Sequence, residues 1–310
     1  MSASGRRPTV AIVGLGLIGG SLARALSRAG YAVIGVDRPP VAMRARAARA
    51  VRRTAAAVEE AARLADIVVL AAPPAANLRL LRRVARATRP GLVVTDVGSV
   101  KGPIGGEADR LGLAFVGGHP MAGNERSGFG ASSPGLFRGR SWILCPGRRA
   151  SRDAVGAVRR LARAAGARPV RMSAVEHDRT VAFLSHAPQL VSWALVDAAR
   201  ADPVARRRLG VAGPGFLGMT RLAGSPPALW RDILAQNRRE TARAAREPRA
   251  EPGSLAALEI NERPGPVRDR IAEVICRRAP PVRSRRYRPP SSRRPLSSGS
   301  VRPPGSRVES

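Results

Sequence analysis

Residues 9–20 read Thr-Val-Ala-Ile-Val-Gly-Leu-Gly-Leu-Ile-Gly-Gly, and the architecture hangs on that stretch. Thr9–Val13 is a short apolar run rich in Val, the mark of a buried strand. Gly14-Leu15-Gly16-Leu17-Ile18-Gly19 follows it as GxGxxG, and Ser21–Ala29 continues with Leu and Ala at helical spacing. Alone, GxGxxG is weak; between a strand and a helix it marks a dinucleotide-binding turn. The first glycine permits the tight turn, the second lets backbone approach a pyrophosphate, and the third lets helix and strand pack closely. The helix N-terminus then offers free N–H groups and a positive dipole to the phosphates. Gly14, Leu15, Gly16, Leu17, Ile18 and Gly19 are therefore expected to hold the cofactor. A secretory leader beginning at Arg6 and Arg7 is rejected. The run is rich in glycine, has no small-residue cleavage site and flows into a helical pattern.

Outward from this turn the pattern repeats. Ala32–Val36, Ile67–Ala71, Leu92–Thr95, Ala114–Val116 and Trp142–Leu144 are short apolar runs bounded by Gly, Pro or Asp. Helical segments such as Ala76–Ala87 lie between them, and Gly30 stands where a helix C-cap glycine belongs. Such alternation predicts a Rossmann-type, doubly wound α/β sheet. Asp37 closes the second strand 23 residues after Gly14, near the ~20-residue offset of a ribose-binding carboxylate. An acid there favours NAD over NADP, although the adjacent Arg38 could accommodate a 2′-phosphate. Capping of the next helix is the plainer role for Asp37. Ala72 and Pro73, just past the strand Ile67–Ala71, fall where open sheets collect ligands and are assigned to the cofactor.

Near Met172 the style changes. Ser173-Ala-Val-Glu176 is a capping box opening a helical stretch to about Ala201, with Pro188 expected to kink or divide it. Further helices are predicted over Gly215–Leu222 and Ala228–Arg246. The domain reading is a dinucleotide-binding domain over 1–172, an all-helical domain over 173–270 and a disordered tail over 271–310. From Arg277 to Ser310 ten arginines stand against one glutamate, with almost no aliphatic residues to offset ordering entropy.

Composition narrows the class. A chain of 310 residues exceeds the ~250–300 at which single cores stop growing. No apolar run reaches the ~18 residues of a membrane span, so no membrane partner is expected. Cys145 and Cys276 imply no disulfide framework, and the cytoplasm is the expected compartment. The formal charge of +32 would suit nucleic acid, but it is almost all arginine spread along the chain, with Lys101 the only lysine. No aromatic residues interleave with it as a stacking platform, so nucleic acid is not the expected partner.

At the carboxyl ends of the strands stand Asp96-Val-Gly-Ser-Val-Lys101 and Gly117-Gly-His-Pro-Met-Ala-Gly123. Together GLGLIGGSLA (14–23), TDVGSVKGPI (95–104), GGHPMAG (117–123) followed by Glu125 and Ser127-Gly128, and LFRGRSWILCP (136–146) resemble the prephenate/arogenate dehydrogenase family. Glu176-His177-Asp178, FLSHAPQ (183–189) and Thr220-Arg-Leu-Ala223 followed by Trp230-Arg-Asp232 extend the resemblance, which runs from about Thr9 to Glu240. It implies an NAD-dependent dehydrogenase of tyrosine synthesis, acting on prephenate or arogenate, with the helical domains of two copies joined as a homodimer. It implies no metal.

By the same resemblance, His119 accepts the proton of the substrate's ring hydroxyl. A neutral imidazole suits this near neutral pH. Ser99 contacts that hydroxyl and helps orient histidine and nicotinamide; its plainer role is an N-cap for the helix from Val100. Arg221 holds a substrate carboxylate, which a guanidinium fork suits. Trp230 is expected to pack. His186 and Gln189 lie one turn apart on a helix face that can close over the substrate. Gln189 stands where the family often has a second histidine, and Asn124 where it often has threonine. Both departures touch the substrate side-chain site and leave prephenate and arogenate open. His177 is assigned a structural place on the first turn of its helix.

A β-hydroxyacid dehydrogenase shares the GxGxxG turn and an all-helical second domain. It generally draws a lysine base from that domain, and this chain has none there. A non-catalytic NAD-binding sensor of nucleic acid would not need Ser99, His119 and Arg221 together. A decayed enzyme would not be expected to keep that frame intact.

Overall fold

The computed structural model describes residues 7–124 and 126–246. The expected basic tail, the end of the helical domain and Glu125 lie outside the described residues. In chain order the first part comprises β1 (Val10–Val13), α1 (Leu17–Arg28), β2 (Val33–Val36), α2 (Pro39–Ala47), β3 (Arg53–Thr54), α3 (Val58–Leu64) and β4 (Ile67–Leu70). It continues with α4 (Pro74–Arg86), β5 (Val93–Asp96), α5 (Gly102–Arg110), β6 (Phe115–Pro120), β7 (Ser141–Pro146), α6 (Arg152–Ala164) and β8 (Arg168–Arg171).

These strands form one sheet in the order β3-β2-β1-β4-β5-β6-β7-β8. From β3 through β6 neighbours run parallel; β7 is antiparallel to β6, and β8 parallel to β7. Side-chain alternation divides the interior into two cores. Val10 and Ile12 pack with Leu22, Leu26, Val158 and Leu161 from α1 and α6. Ala11 and Val13 pack with Leu81, Val84 and Ile104 from α4 and α5. Strands buried on both faces read as unbroken apolar runs, which is why six of them were visible in the sequence. The chain reverses its winding between β1 and β4, and a crevice at such a switch point is where open sheets bind ligands.

The two strands the sequence did not announce lie at the sheet's edges. β3 has only two residues, and β8 (Arg-Pro-Val-Arg) is exposed or half-buried throughout. Neither offers a hydrophobic signal. β6 and β7 also run longer than their apolar runs, because His119 and Pro120 still pair with Ile143 and Trp142.

After β8 the described residues hold helices and turns, with no strand among them. They are α7 (Ala174–Val181), a π-helical turn (Ala182–His186), α8 (Ala187–Ala201), α9 (Pro203–Arg207), α10 (Pro214–Thr220), α11 (Pro227–Gln236) and α12 (Arg238–Arg246). Ser173 caps α7, its hydroxyl accepting from the Glu176 N–H at 3.1 Å. The expected break at Pro188 falls earlier, in the π-helical turn. Pro188 itself sits in the first turn of α8, where a missing N–H is tolerated. The helix predicted over Gly215–Leu222 starts at Pro214 and ends at Thr220, tightening into a 3-10 turn over Arg221–Gly224. The helix predicted over Ala228–Arg246 is two helices, broken at Asn237. No helix among the described residues is long and apolar enough to cross a membrane.

Candidate active site

The glycine turn shows what each glycine does. Gly14 has φ +96°, and a Cβ there would sit 2.7 Å from the carbonyl of Ala71, the residue just past β4. At Gly19 a Cβ would fall 1.8 Å from the Gly14 carbonyl oxygen, so α1 and β1 could not pack. At Gly16, the N-cap of α1, a Cβ would meet nothing within 4 Å. That open space above unspent helix N–H groups is a cradle for a pyrophosphate. Leu15 is buried in the core, which leaves only its backbone to face a ligand; Leu17 and Ile18 are half-buried.

Asp37 accepts from the Leu15 N–H at 2.6 Å and from the Arg38 N–H at 2.7 Å. It does not cap α2, whose N-cap is Arg38. It braces the glycine turn instead, and a carboxylate with about four lone-pair sites keeps capacity for a ribose. Arg38 is exposed beside it. Ala72 donates its N–H to the Asn77 side chain at 3.1 Å, and Pro73 is the N-cap of α4. The residues present therefore fit a dinucleotide.

Two strands along the sheet from β1, the buried Asp96 closes β5. Beyond Thr95–Val116 the ladder between β5 and β6 gives way to side-chain pairing. Asp96 accepts from the Gly118 N–H at 3.1 Å, from the Gly98 N–H at 2.9 Å and from the buried Lys101 ammonium. Ser99 lies half-buried on the bend these contacts hold. It is not the N-cap of α5, contrary to the plainer expectation. That place is Lys101, and the N–H groups of Lys101 and Gly102 donate to the Asp178 carboxylate, both at 2.8 Å. The capping acid thus comes from α7.

His119, next after Gly118 on β6, is 7% exposed. Its Nδ1 lies 2.8 Å from His177 Nε2, and His177 Nδ1 lies 2.7 Å from Asp178 Oδ1. His119 is held well below the ordinary histidine value near 6.5, first by burial and then by His177, Lys101 and His186. Burial would raise the Asp178 carboxyl, but hydrogen bonds from His177, Lys101 and Gly102 outweigh it and keep the group below its ordinary value. His119 is thus neutral at neutral pH, and one ring away, beyond His177, lies an anion that takes three N–H bonds.

His186 and Gln189 are fully buried where the π-helical turn meets α8. Burial pushes His186 down to about 4. Its Nδ1 lies 3.2 Å from both Asn237 Nδ2 and Thr241 Oγ1. The Asn237 amide also donates to the Asp178 carbonyl at 2.8 Å, so the break between α11 and α12 serves this cluster. Trp230 packs edge-on against His186. Gln189 donates to the Leu222 carbonyl at 2.8 Å and thereby fastens the 3-10 turn that carries the exposed Arg221. Asn124 is exposed beyond β6, accepting from the Arg126 N–H at 2.9 Å. The structure thus joins His119, His177 and Asp178 by direct contact, and gathers His186 and Gln189 on one adjoining helix.

His177, Asp178, Asp96, Lys101 and Asn237 were not singled out as site residues in the sequence. His177 does stand on α7, but its ring is buried against His119 as well as held by Asp178. The run Glu176-His177-Asp178 was the one signal that could have found the pair. Among the described residues no group of three or more His, Cys, Asp or Glu could hold a metal ion. Buried Cys145 is an inert thiol, pushed up to about 12 by burial.

Two family models match the chain: prephenate dehydrogenase, nucleotide-binding domain, over residues 22–171, and prephenate dehydrogenase, dimerization domain, over residues 173–262. A prephenate dehydrogenase of Bacillus subtilis is 35% identical over 243 residues, which cover 75% of this chain and 65% of that protein. The chain thus spans just under two thirds of that relative's length. A crystal structure of prephenate dehydrogenase from A. aeolicus, in complex with hydroxyphenyl propionate and NAD+, is similar with a TM-score of 0.72 and 31% identity, over 79% of this chain and 87% of that one. A crystal structure of Synechocystis arogenate dehydrogenase is similar with a TM-score of 0.68 and 29% identity, over 77% of this chain and 87% of that one.

Proposed function

Because the chain belongs to the prephenate dehydrogenase family, we propose that it oxidises and decarboxylates prephenate to 4-hydroxyphenylpyruvate with NAD, a step of tyrosine synthesis. One observation carries the reading. A buried histidine kept neutral stands at the carboxyl end of β6, in the sheet whose β1 bears the glycine turn. Bound NAD supplies the hydride acceptor. His119 Nε2 takes the ring-hydroxyl proton as the alcohol carbon is oxidised. It holds that proton while the ring carboxylate leaves as carbon dioxide, and returns it to the phenolate oxygen. Ser99 contacts the same hydroxyl, and Arg221 pairs with a substrate carboxylate. His186, Gln189 and Asn124 line the side-chain end of the substrate. Among the described residues, those up to 172 form the nucleotide domain, and 173–246 belong to the helical domain that pairs with a second copy.

Arogenate is the second reading, favoured by Gln189. Its Nε2 is spent on Leu222, while its Oε1 is buried with no hydrogen-bond partner among the described residues. An unpaired acceptor suits an ammonium group, which arogenate carries where prephenate has a ketone. The test follows reduced nicotinamide in the full chain with prephenate or arogenate, each with NAD or NADP. Turnover of prephenate with NAD is the expected result. Turnover of arogenate alone selects the second reading, and no turnover from folded, NAD-bound protein overturns both.

A further inference from the structure

We infer that His177 and Asp178 are positioning residues that fix the tautomer of His119, so that its bare Nε2 faces the substrate. This rests on the reading of His119 as the base, but the pairing itself follows from donor and acceptor counting. Asp178 is the fixed end of the chain. Its carboxylate accepts from the N–H groups of Lys101 and Gly102, both 2.8 Å away, which marks it as an acceptor. It can then only accept from His177, so His177 Nδ1 carries a hydrogen. In a neutral His177 this leaves Nε2 as a lone pair. That lone pair lies 2.8 Å from His119 Nδ1, so His119 Nδ1 carries the hydrogen between them. One nitrogen of His119 remains, Nε2, and it has no hydrogen. A general base needs its free lone pair there, and the partner of the other nitrogen decides which one is free.

The dyad also acts after the proton has moved. When Nε2 takes the hydroxyl proton, His119 becomes an imidazolium in a buried site. Its Nδ1–H then donates to neutral His177 as a charge-assisted bond, with the Asp178 anion one ring further on. No proton needs to pass along the chain, because the hydrogens on both Nδ1 atoms stay in place. The contacts also tie α7 to the bend that carries Ser99, since Asp178 caps α5 through Lys101 and Gly102. Base, hydroxyl contact and helical domain are held by one carboxylate.

The chain has three histidines, so histidine-selective nitrogen-15 labelling of the full protein gives a spectrum of three rings. Long-range proton–nitrogen correlation reads each tautomer without any turnover. The expected result is a protonated Nδ1 and a bare Nε2 on both His119 and His177. A His119 protonated at Nε2 overturns the proposal, whether or not the protein is active. Two variants supply the kinetic readout, with whichever substrate proves active. His177→Gln keeps an acceptor for His119 and a donor for Asp178, and is expected to keep kcat within about tenfold and the His119 tautomer unchanged. His177→Leu removes both, and is expected to lower kcat by about 10²–10⁴-fold with KM nearly unchanged. Equal loss in the two variants, or loss shared between kcat and KM, means a merely structural role and also overturns the proposal. If His177→Leu fails to fold, the wild-type and His177→Gln spectra still decide. A chain inactive on both substrates, yet with the expected tautomers, would discard the proposed reaction and keep the dyad.

Discussion

At the scale of single residues, the proposed chemistry rests on His119, a histidine that burial keeps neutral. His119→Ala removes the proton acceptor but touches neither Gly16 nor Asp37. It should therefore lower kcat by roughly 10²–10⁴-fold, with the dissociation constant for NAD unchanged by titration. Loss of NAD binding with the chemistry intact would contradict the assignment. The pH dependence has a definite sign. Because the folded protein holds His119 well below about 6.5, the base form persists as the pH falls through that value. The acid limb of kcat/KM should lie below it, and a limb centred at or above it would count against His119 as the base. His119, Ser99 and Arg221 could be nominated from the sequence because each sits in a frame of neighbours. His177 was not, because a buried contact between residues 58 apart leaves no trace in local spacing. Asp178 appeared only as one letter of a motif, and its capping of α5 belongs to the tertiary structure.

At the scale of elements, the strand–turn–helix unit of β1 and α1 is the proposed seat of the cofactor. Gly19→Ala places a methyl 1.8 Å from the Gly14 carbonyl oxygen and 2.9 Å from the Ala71 side chain, so α1 must move off the sheet. Overpacking of this kind costs about 1–3 kcal/mol. Thermal unfolding should show that loss, and NAD affinity should fall by at least about tenfold. Gly106→Ala, where a Cβ meets nothing within 4 Å of α5, is the control and should raise stability by about 0.5–1 kcal/mol. Equal behaviour of the two would show that space at Gly19 does not matter. The central strands could be read from sequence because both their faces are buried and apolar. The edge strands β3 and β8 could not, nor could the break at Asn237. There a polar side chain turns inward to His186 and Asp178, and such a break follows its partners in space rather than any helix-stop signal.

At the scale of the whole molecule, large exposed apolar side chains gather in the helical part. Val175, Leu184, Val211 and Met219 are 71%, 72%, 81% and 57% exposed. The match to a dimerization domain over residues 173–262 makes these side chains candidates for the surface that a second copy covers. Sedimentation of the full chain should give a dimer, and Leu184→Asp with Val211→Asp should shift it toward monomer. A wild-type monomer at micromolar concentration would remove the pairing. Charge has a different distribution. Arginine covers the surface, whereas the single lysine of the chain is sealed in the sheet against Asp96, 1% exposed. Apart from the α-amino group, the folded protein therefore presents no reactive primary amine. Acylating dyes and crosslinkers aimed at lysine will find nothing to modify until the sheet opens. A protease that cuts after lysine has one bond to attack, and it meets that bond only in opened molecules. The rate at which Lys101 becomes acylated is thus a chemical clock for the opening of the site.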